Sequence, residues 1–325
     1  MEQTKSRRSW RVFLRWTGWV LLFQFVLINI SASIYAYRLT HFSNDPALRQ
    51  APRQTNIFRK TWKIFTGPEF PKSQIRVTPS FSYDTITLQT KEGTSIDAWY
   101  SRPDSAKGTV ILFHGISASK SYMVREAEAF REMGYAVCMV DFRAHGNSGG
   151  LVTTMGRKET EEVKLAFDFV RANSSQPVFL WGVSMGAVVL LKALHDFPLQ
   201  PAGVILEMPF LSLQSHLKAR ARVLGFPQQP FAFLVTGWIG MEQGFNGFRH
   251  TATRYAASVQ CPVLLQYGAR DSYVLKEEIE EVYKAIPAAD KIKIAYPFAD
   301  HESLLQHDPS RWQREVSLFL EKGSH

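Results

Sequence analysis

Cysteine is nearly absent from this chain, and two cysteines in 325 residues leave neither a disulfide scaffold nor a four-thiolate zinc site. Cys138 and Cys261 each stand in an apolar, strand-like run, where a small buried hydrophobe is expected. Charged residues are held to 21% while apolar residues reach 45%. Both values are close to the globular average, which excludes wholesale disorder, collagen and a polytopic membrane protein. Internal repeats and low-complexity tracts are also missing. The length suits one large α/β domain with a sizeable core.

Charge is lacking altogether in one place. The 22 residues from Trp16 to Tyr37 carry no charged side chain, and a helix of that length rises about 33 Å, enough for a hydrocarbon core of roughly 30 Å. Trp16, Trp19, Tyr35 and Tyr37 stand at its two ends, where an interfacial aromatic belt belongs. The net charge of +9 is concentrated at the same end: residues 1 to 38 hold six basic residues and one acid, so +5 of the excess lies there. That asymmetry argues for a membrane-facing N-terminus and against a nucleic-acid surface. A cleaved signal peptide would have its h-region from Val20 to Ile30 and small residues at Ser31 and Ser33. The uncharged stretch exceeds an ordinary h-region, so residues 16–37 are read as a retained single-pass anchor behind a basic tail, 1–15. Five basic residues precede the span and three follow it closely, a bias that keeps the N-terminus cytoplasmic and puts the following domain on the non-cytoplasmic side.

Residues 38–77 read as a juxtamembrane linker, rich in Pro, Arg and aromatics, whose stretch 58–65 suits anionic headgroups as well as solvent. From residue 78 a domain is expected in which short β-branched runs alternate with helical patterns, the signature of βαβ units around a mainly parallel sheet. Strands are predicted near 82–90, 95–101, 108–114, 135–141, 177–183, 202–207, 262–267 and 291–296, the first two as an antiparallel hairpin. Helices are predicted near 121–133, 157–172, 185–196, 275–286 and 309–322. Residues 209–259 interrupt the rhythm and are expected to form a helical cap over the strands' C-terminal edge.

The sharpest local signal is Gly182-Val-Ser184-Met-Gly186. A nucleophilic serine on a strained turn needs a strand before it and a helix after it, which Pro177–Trp181 and Met185–Leu194 supply. A second Gly-x-Ser-x-Gly, centred on Ser148, lies in a glycine-rich loop with no convincing helix behind it and is set aside as a decoy. A serine hydroxyl is a weak nucleophile without a base, and the base needs an orienting acid. Asp271 follows the strand Pro262–Tyr267 and His301 follows Ile292–Tyr296, so both leave the sheet edge at which Ser184 stands. Glu207, at a neighbouring strand end, is the reserve acid, and Asp300 is a further rival beside the base. His195, His216, His250, His307 and His325 lack a strand-end position and read as surface or packing residues. The loop after Phe113, His114-Gly115-Ile116, is placed to supply one oxyanion donor, the Ile116 amide, with the Met185 amide as the other; the His114 ring is expected to be structural.

With these residues in view, the sequence from about 80 to 322 resembles the α/β-hydrolase superfamily, in the branch of serine aminopeptidase-like hydrolases and monoglyceride lipases. The resemblance rests on the His114-Gly115 loop, the elbow at Ser184, Asp271, His301 and Asp141-Phe-Arg-Ala-His-Gly-Asn-Ser148, where Ala144 replaces a common glycine. It implies an eight-stranded α/β-hydrolase sheet and a Ser184–Asp271–His301 hydrolase with neither metal nor organic cofactor; Ser184 argues against superfamily members with an aspartate nucleophile. The expected partners are a small-molecule acyl substrate and the bilayer. Ester or thioester cleavage of a lipophilic acyl compound is the leading expectation; a short-peptide serine peptidase and a non-catalytic interaction protein are the alternatives.

Overall fold

In the computed structural model, which describes residues 2–49, 62, 63 and 65–323, one sheet of eight strands organises the chain from residue 84 onward. Its order is β1-β2-β4-β3-β5-β6-β7-β8. Only β2 runs antiparallel to its neighbours, and all pairs from β4 to β8 are parallel. The strands are β1 Asp84–Gln89, β2 Ser95–Ser101, β3 Thr109–Phe113, β4 Ala136–Val140, β5 Val178–Val183, β6 Gly203–Glu207, β7 Val263–Gly268 and β8 Lys291–Tyr296. The alternating β1, Asp-Thr-Ile-Thr-Leu-Gln, is an edge with no buried residue. β3, Thr-Val-Ile-Leu-Phe, is buried throughout, as a central parallel strand covered on both faces must be.

Helices cover the faces: α2 Val124–Glu132, α3 Thr160–Asn173, α4 Met185–Asp196, α8 Lys276–Ala285 and α10 Pro309–Lys322, the last preceded by the single turn α9 Leu304–His307. The start of α2 is later than the sequence pattern predicts, because Lys120–Met123 forms a 3₁₀ turn. α10 begins where a proline can occupy the first turn without losing a bond, and the Asp308 side chain accepts from the Arg311 amide at 3.1 Å.

The insertion between β6 and β7 is helical, with α5 Leu213–Val223, α6 Phe231–Glu242 and α7 Ala252–Ala256. α5 starts on a reciprocal Ser212–Ser215 capping box. α6 is apolar nearly all round, Phe-Ala-Phe-Leu-Val-Thr-Gly-Trp-Ile, so it needs neighbours on more than one face. One neighbour is the N-terminal helix.

That helix, α1, runs from Glu2 to Thr40, longer at both ends than the span read from the sequence. Residues Trp10 to Phe25 are exposed, whereas Ala32, Tyr35, Ala36 and Leu39 are buried in a cluster with Leu213, Leu217, Ala232, Val235 and Ile239 of the cap. Tyr35 meets Phe231 edge to face at 4.9 Å. The last turns of the apolar stretch are therefore covered by protein.

The linker reading is corrected in the same way. Where residues 38–77 are described, they pack on the domain: His41 bridges to Val152 and Ser43 to Pro71, Phe42 is buried with its ring 4.9 Å from His145, and Ser73 Oγ donates to Ala118 O at 2.6 Å while accepting from the Gly146 amide. The packing is sequence-specific, which Pro and Arg content alone does not reveal. The stretch 58–65 lies mostly outside the described residues.

Candidate active site

Strand order reverses between β4, β3 and β5, and a crevice opens at such a switch beyond the strands' carboxyl ends. Phe113 and Val183 end β3 and β5 there, and the segments that follow them bring the site together.

Ser184 adopts φ 53° and ψ −114° at the start of α4, a conformation that strains a non-glycine residue and persists only where its surroundings enforce it. They do so through close backbone approach. The Ser184 amide donates to Glu207 O at 2.8 Å. A Cβ on Gly186 would stand 2.2 Å from Phe113 O, and one on Gly182 would stand 2.8 Å from the Gly186 carbonyl carbon. Only glycine fits either place.

His301 follows β8. Its Nε2 is 3.1 Å from Ser184 Oγ and its Nδ1 is 2.7 Å from Asp271 Oδ2. The buried Asp271 accepts the Tyr273 and Val274 amides on Oδ1, at 2.7 and 2.8 Å, leaving Oδ2 to the imidazole. Nδ1 thus donates to the carboxylate, and Nε2 is left as an acceptor for the serine proton. Asp300, the neighbouring rival, takes the Ser272 amide at 2.8 Å and its own following amide, His301 N, at 2.8 Å. These bonds, the Ser272 amide foremost, hold its carboxyl below the ordinary range and turn it away from the ring.

Glu207 does not reach His301, and the reserve assignment is withdrawn on geometry. Its Oε1 accepts from the indoles of Trp181 at 3.0 Å and Trp312 at 2.7 Å. Burial, opposed by those bonds, pushes it up to about 8, so it is a neutral acid at pH 7 beneath the site. The sequence shows a strand-end acid; only packing shows that two indoles occupy it.

The loop after β3 is held from several sides. The His114 ring is buried, its Nδ1 2.7 Å from Gly115 O and its Nε2 accepting from the Phe142 amide. Burial pushes it down to about 4, so a structural role fits. A Cβ on Gly115 would lie 3.4 Å from Ser184 Cβ, which puts the Ile116 amide next to the elbow. The Met185 amide opens α4 and has no intrahelical acceptor.

The reading of the residues did not foresee His145, whose Nε2 accepts from the Ser117 amide at 3.1 Å. Nor did it foresee Lys120, whose buried ammonium sits 2.5 Å from both Asp97 and Asp141. Ser148 belongs to this support. It is fully buried, donates to Asp141 O at 2.6 Å and accepts from the Asp97 amide.

The cavity over Ser184 measures about 390 Å³ and is lined mainly by apolar atoms, among them Ile116, Tyr122, Met123, Met208 and Tyr273. Ser117 and Met208, at its edge, have φ of 57° and 49°, further strain gathered at one place. Two polar residues on α5 face the cavity, His216 and Arg220. His216 packs against the Phe210 ring at 5.3 Å, as a packing residue is expected to, and it also lines the cavity. Its Nε2 is buried with no hydrogen-bond partner, and burial above all, then Arg220 and His301, push it down to about 3. Its position four residues before Arg220 on an amphipathic helix was the one available signal. Among the described residues no group of three His, Cys, Asp or Glu side chains stands close enough to hold a metal ion.

A family model described as serine aminopeptidase, S33, matches residues 104–240. The caffeoylshikimate esterase of Arabidopsis thaliana is 34% identical over 244 residues, 62% of this chain and 73% of that protein. An uncharacterized membrane protein of Saccharomyces cerevisiae is 24% identical over 243 residues, 74% of this chain and 81% of that one. Among solved structures, the Pyrococcus furiosus esterase Pf2001 superposes with a TM-score of 0.63 at 26% identity, over 78% of this chain and 98% of its own.

Proposed function

We propose, from the premise that this chain belongs to the α/β-hydrolase superfamily in its serine aminopeptidase S33 branch, that it is a membrane-anchored serine hydrolase cleaving carboxylic ester or thioester bonds of a lipophilic acyl substrate. The observation that carries the reading is the hydrogen-bonded line Ser184 Oγ, His301, Asp271 at 3.1 and 2.7 Å under a largely apolar cavity. In the proposed mechanism Oγ attacks the acyl carbon as its proton passes to His301 Nε2, and Asp271 stabilises the imidazolium. The oxyanion is met by the Ile116 and Met185 amides. Collapse of the tetrahedral adduct transfers the Nε2 proton to the leaving alcohol or thiol and leaves an ester on Ser184. Water, deprotonated by the same nitrogen, then releases the acid. Apolar walls favour an alkyl or aryl acyl group. The uncharged span 16–37 and an apolar helix exposed along much of its length support anchoring in lipid.

Full-length protein should take up a fluorophosphonate probe and hydrolyse nitrophenyl acyl esters. Ser184→Ala should do neither, while Ser148→Ala retains both at a cost of about 1 kcal/mol in stability from its lost buried bonds. Labelling that persists in Ser184→Ala would overturn the nucleophile, and preference for aminoacyl anilides over esters would move the activity to peptidase.

A further inference from the structure

A second cavity, of about 470 Å³, opens between α1 and the cap, outside the catalytic one. Its walls are Ile28, Ala32 and Tyr35 from α1 and Leu224, Phe226 and Phe231 from the cap, with further residues around them. Nothing in the hydrolytic chemistry uses it.

Its depth relative to a bilayer follows from helix arithmetic. The uncharged, largely exposed part of α1, Trp16 to Ile30, rises about 22 Å, some 8 Å short of a hydrocarbon core of roughly 30 Å. The missing length is supplied by Ser31 to Tyr37, the turns whose Ala32, Tyr35 and Ala36 face is packed on the cap while Tyr37 remains exposed. If residues 16–37 cross the membrane, these turns and the cap edge beside them lie at acyl-chain depth. That edge carries exposed Val223, Leu224, Phe226 and Phe233, apolar surface that would be costly in water and is at home in lipid.

The two cavities are one side-chain layer apart. Tyr35 lines the outer one, and its hydroxyl accepts from Arg220 Nε at 3.5 Å. Arg220 lies over the Phe70 ring at 5.1 Å, and both line the catalytic cavity. A 3.5 Å bond is weak and Arg220 has no carboxylate partner among the described residues, so the polar part of this partition is easily broken, and the packing of Tyr35 on Phe231 is what a passing tail would have to replace.

We propose that the outer cavity is a lateral entry site for the hydrocarbon tail of a bilayer lipid ester, which reaches Ser184 by displacing the Tyr35–Arg220 contact. This rests on the reading of 16–37 as a span and of Ser184 as nucleophile, and it adds that the anchor forms a wall of the substrate path.

The test uses full-length Ser184→Ala protein in phosphatidylcholine vesicles carrying a monoacylglycerol with a diazirine in its acyl chain. Photo-crosslinks should map to Ile28, Tyr35, Leu224, Phe226 and Phe231 as well as to the exposed span. In Leu224→Glu/Phe226→Glu added to that background, groove adducts should fall by about tenfold or more, since two carboxylates in the walls oppose an apolar tail. Adducts on Phe13 to Phe25 should persist and report that the helix is still inserted. With Ser184 restored, the same pair of changes should slow hydrolysis of a long-chain monoacylglycerol in vesicles by a similar factor. Adducts confined to the span, or undiminished groove adducts and hydrolysis in the charged variant, would overturn the entry site. The crosslinks do not depend on turnover, so a wild-type protein that ignores fluorophosphonate would sink the hydrolase reading while leaving the groove decided. Loss of vesicle flotation would separately remove the anchor.

Discussion

Asp271 and Glu207 are both acids that follow or end strands of the sheet, and their surroundings give them different partners. Asp271 has two backbone donors and an imidazole; Glu207 is fully buried with two indoles and, more distantly at 3.5 Å, the Gln266 amide. Asp271→Asn should lower kcat by about 10⁴, because the amide can no longer hold the histidine tautomer. Glu207→Gln should keep kcat near wild type, since an amide oxygen still accepts from both indoles. Steady-state kinetics on a nitrophenyl ester reads both, and the reverse pattern would restore Glu207 as the acid. Glu207 also sets a pH dependence. Its folded pKa of about 8 lies above the unfolded carboxyl value near 4.3, so the folded chain holds a proton that the unfolded chain releases. Stability from the neutral group is complete below the unfolded value and falls as pH rises through about 8, by up to about 1.4 kcal/mol per pH unit. Glu207→Gln should therefore lose less stability than wild type between about pH 6 and pH 8 in urea titrations. Glu162, also pushed up by burial, adds its own slope to both proteins and cancels in the difference. Parallel curves would mean that Glu207 is not the titrating group.

At the scale of elements, α1 has two halves with different neighbours. Ala32, Tyr35, Ala36 and Leu39 complete the cap core, so a domain cut at residue 78 loses part of the surface on which α6 rests. Burial of Tyr35 and Leu39 contributes about 2 kcal/mol each. A protein beginning at residue 78 should melt on the order of 10 °C below one beginning at residue 31, by differential scanning fluorimetry. Equal melting temperatures would show that the cap holds its shape without α1. The same contact explains why α6 tolerates an almost uniformly apolar sequence inside a surface insertion: one side meets α5 and the other meets α1.

For the whole molecule, α1 and the α/β domain form a continuous structure and not a body on a tether. Attachment by 22 uncharged residues in lipid is effectively irreversible, whereas attachment through basic residues weakens with salt. Full-length protein should remain in the membrane fraction through high-salt and alkaline carbonate washes. Recovery in the salt wash would reduce the attachment to a peripheral one, and a mature N-terminus near residue 34 would identify a cleaved signal.

The sheet was legible in the chain because its cause is local. Runs such as Val110–Phe113 and Ala136–Val140 are short, β-branched and apolar, and period and turn residues set strands and helices within a residue or two of their observed ends, save the starts of α2 and α3, which lie three residues later. The placement of Ser184, Asp271 and His301 at one sheet edge followed from the same local pattern, since each stands just past a strand. Contacts between distant segments carry no such mark. That Glu207 would be taken by Trp181 and Trp312, that Lys120 would lie between Asp97 and Asp141, and that Tyr35 would close the cap are decided by packing across 26, 105, 23, 21 and 185 positions of sequence. Periodicity reports which face of an element is apolar; which other element covers that face is set by the summed fit of the folded chain, and so only the tertiary structure decides it.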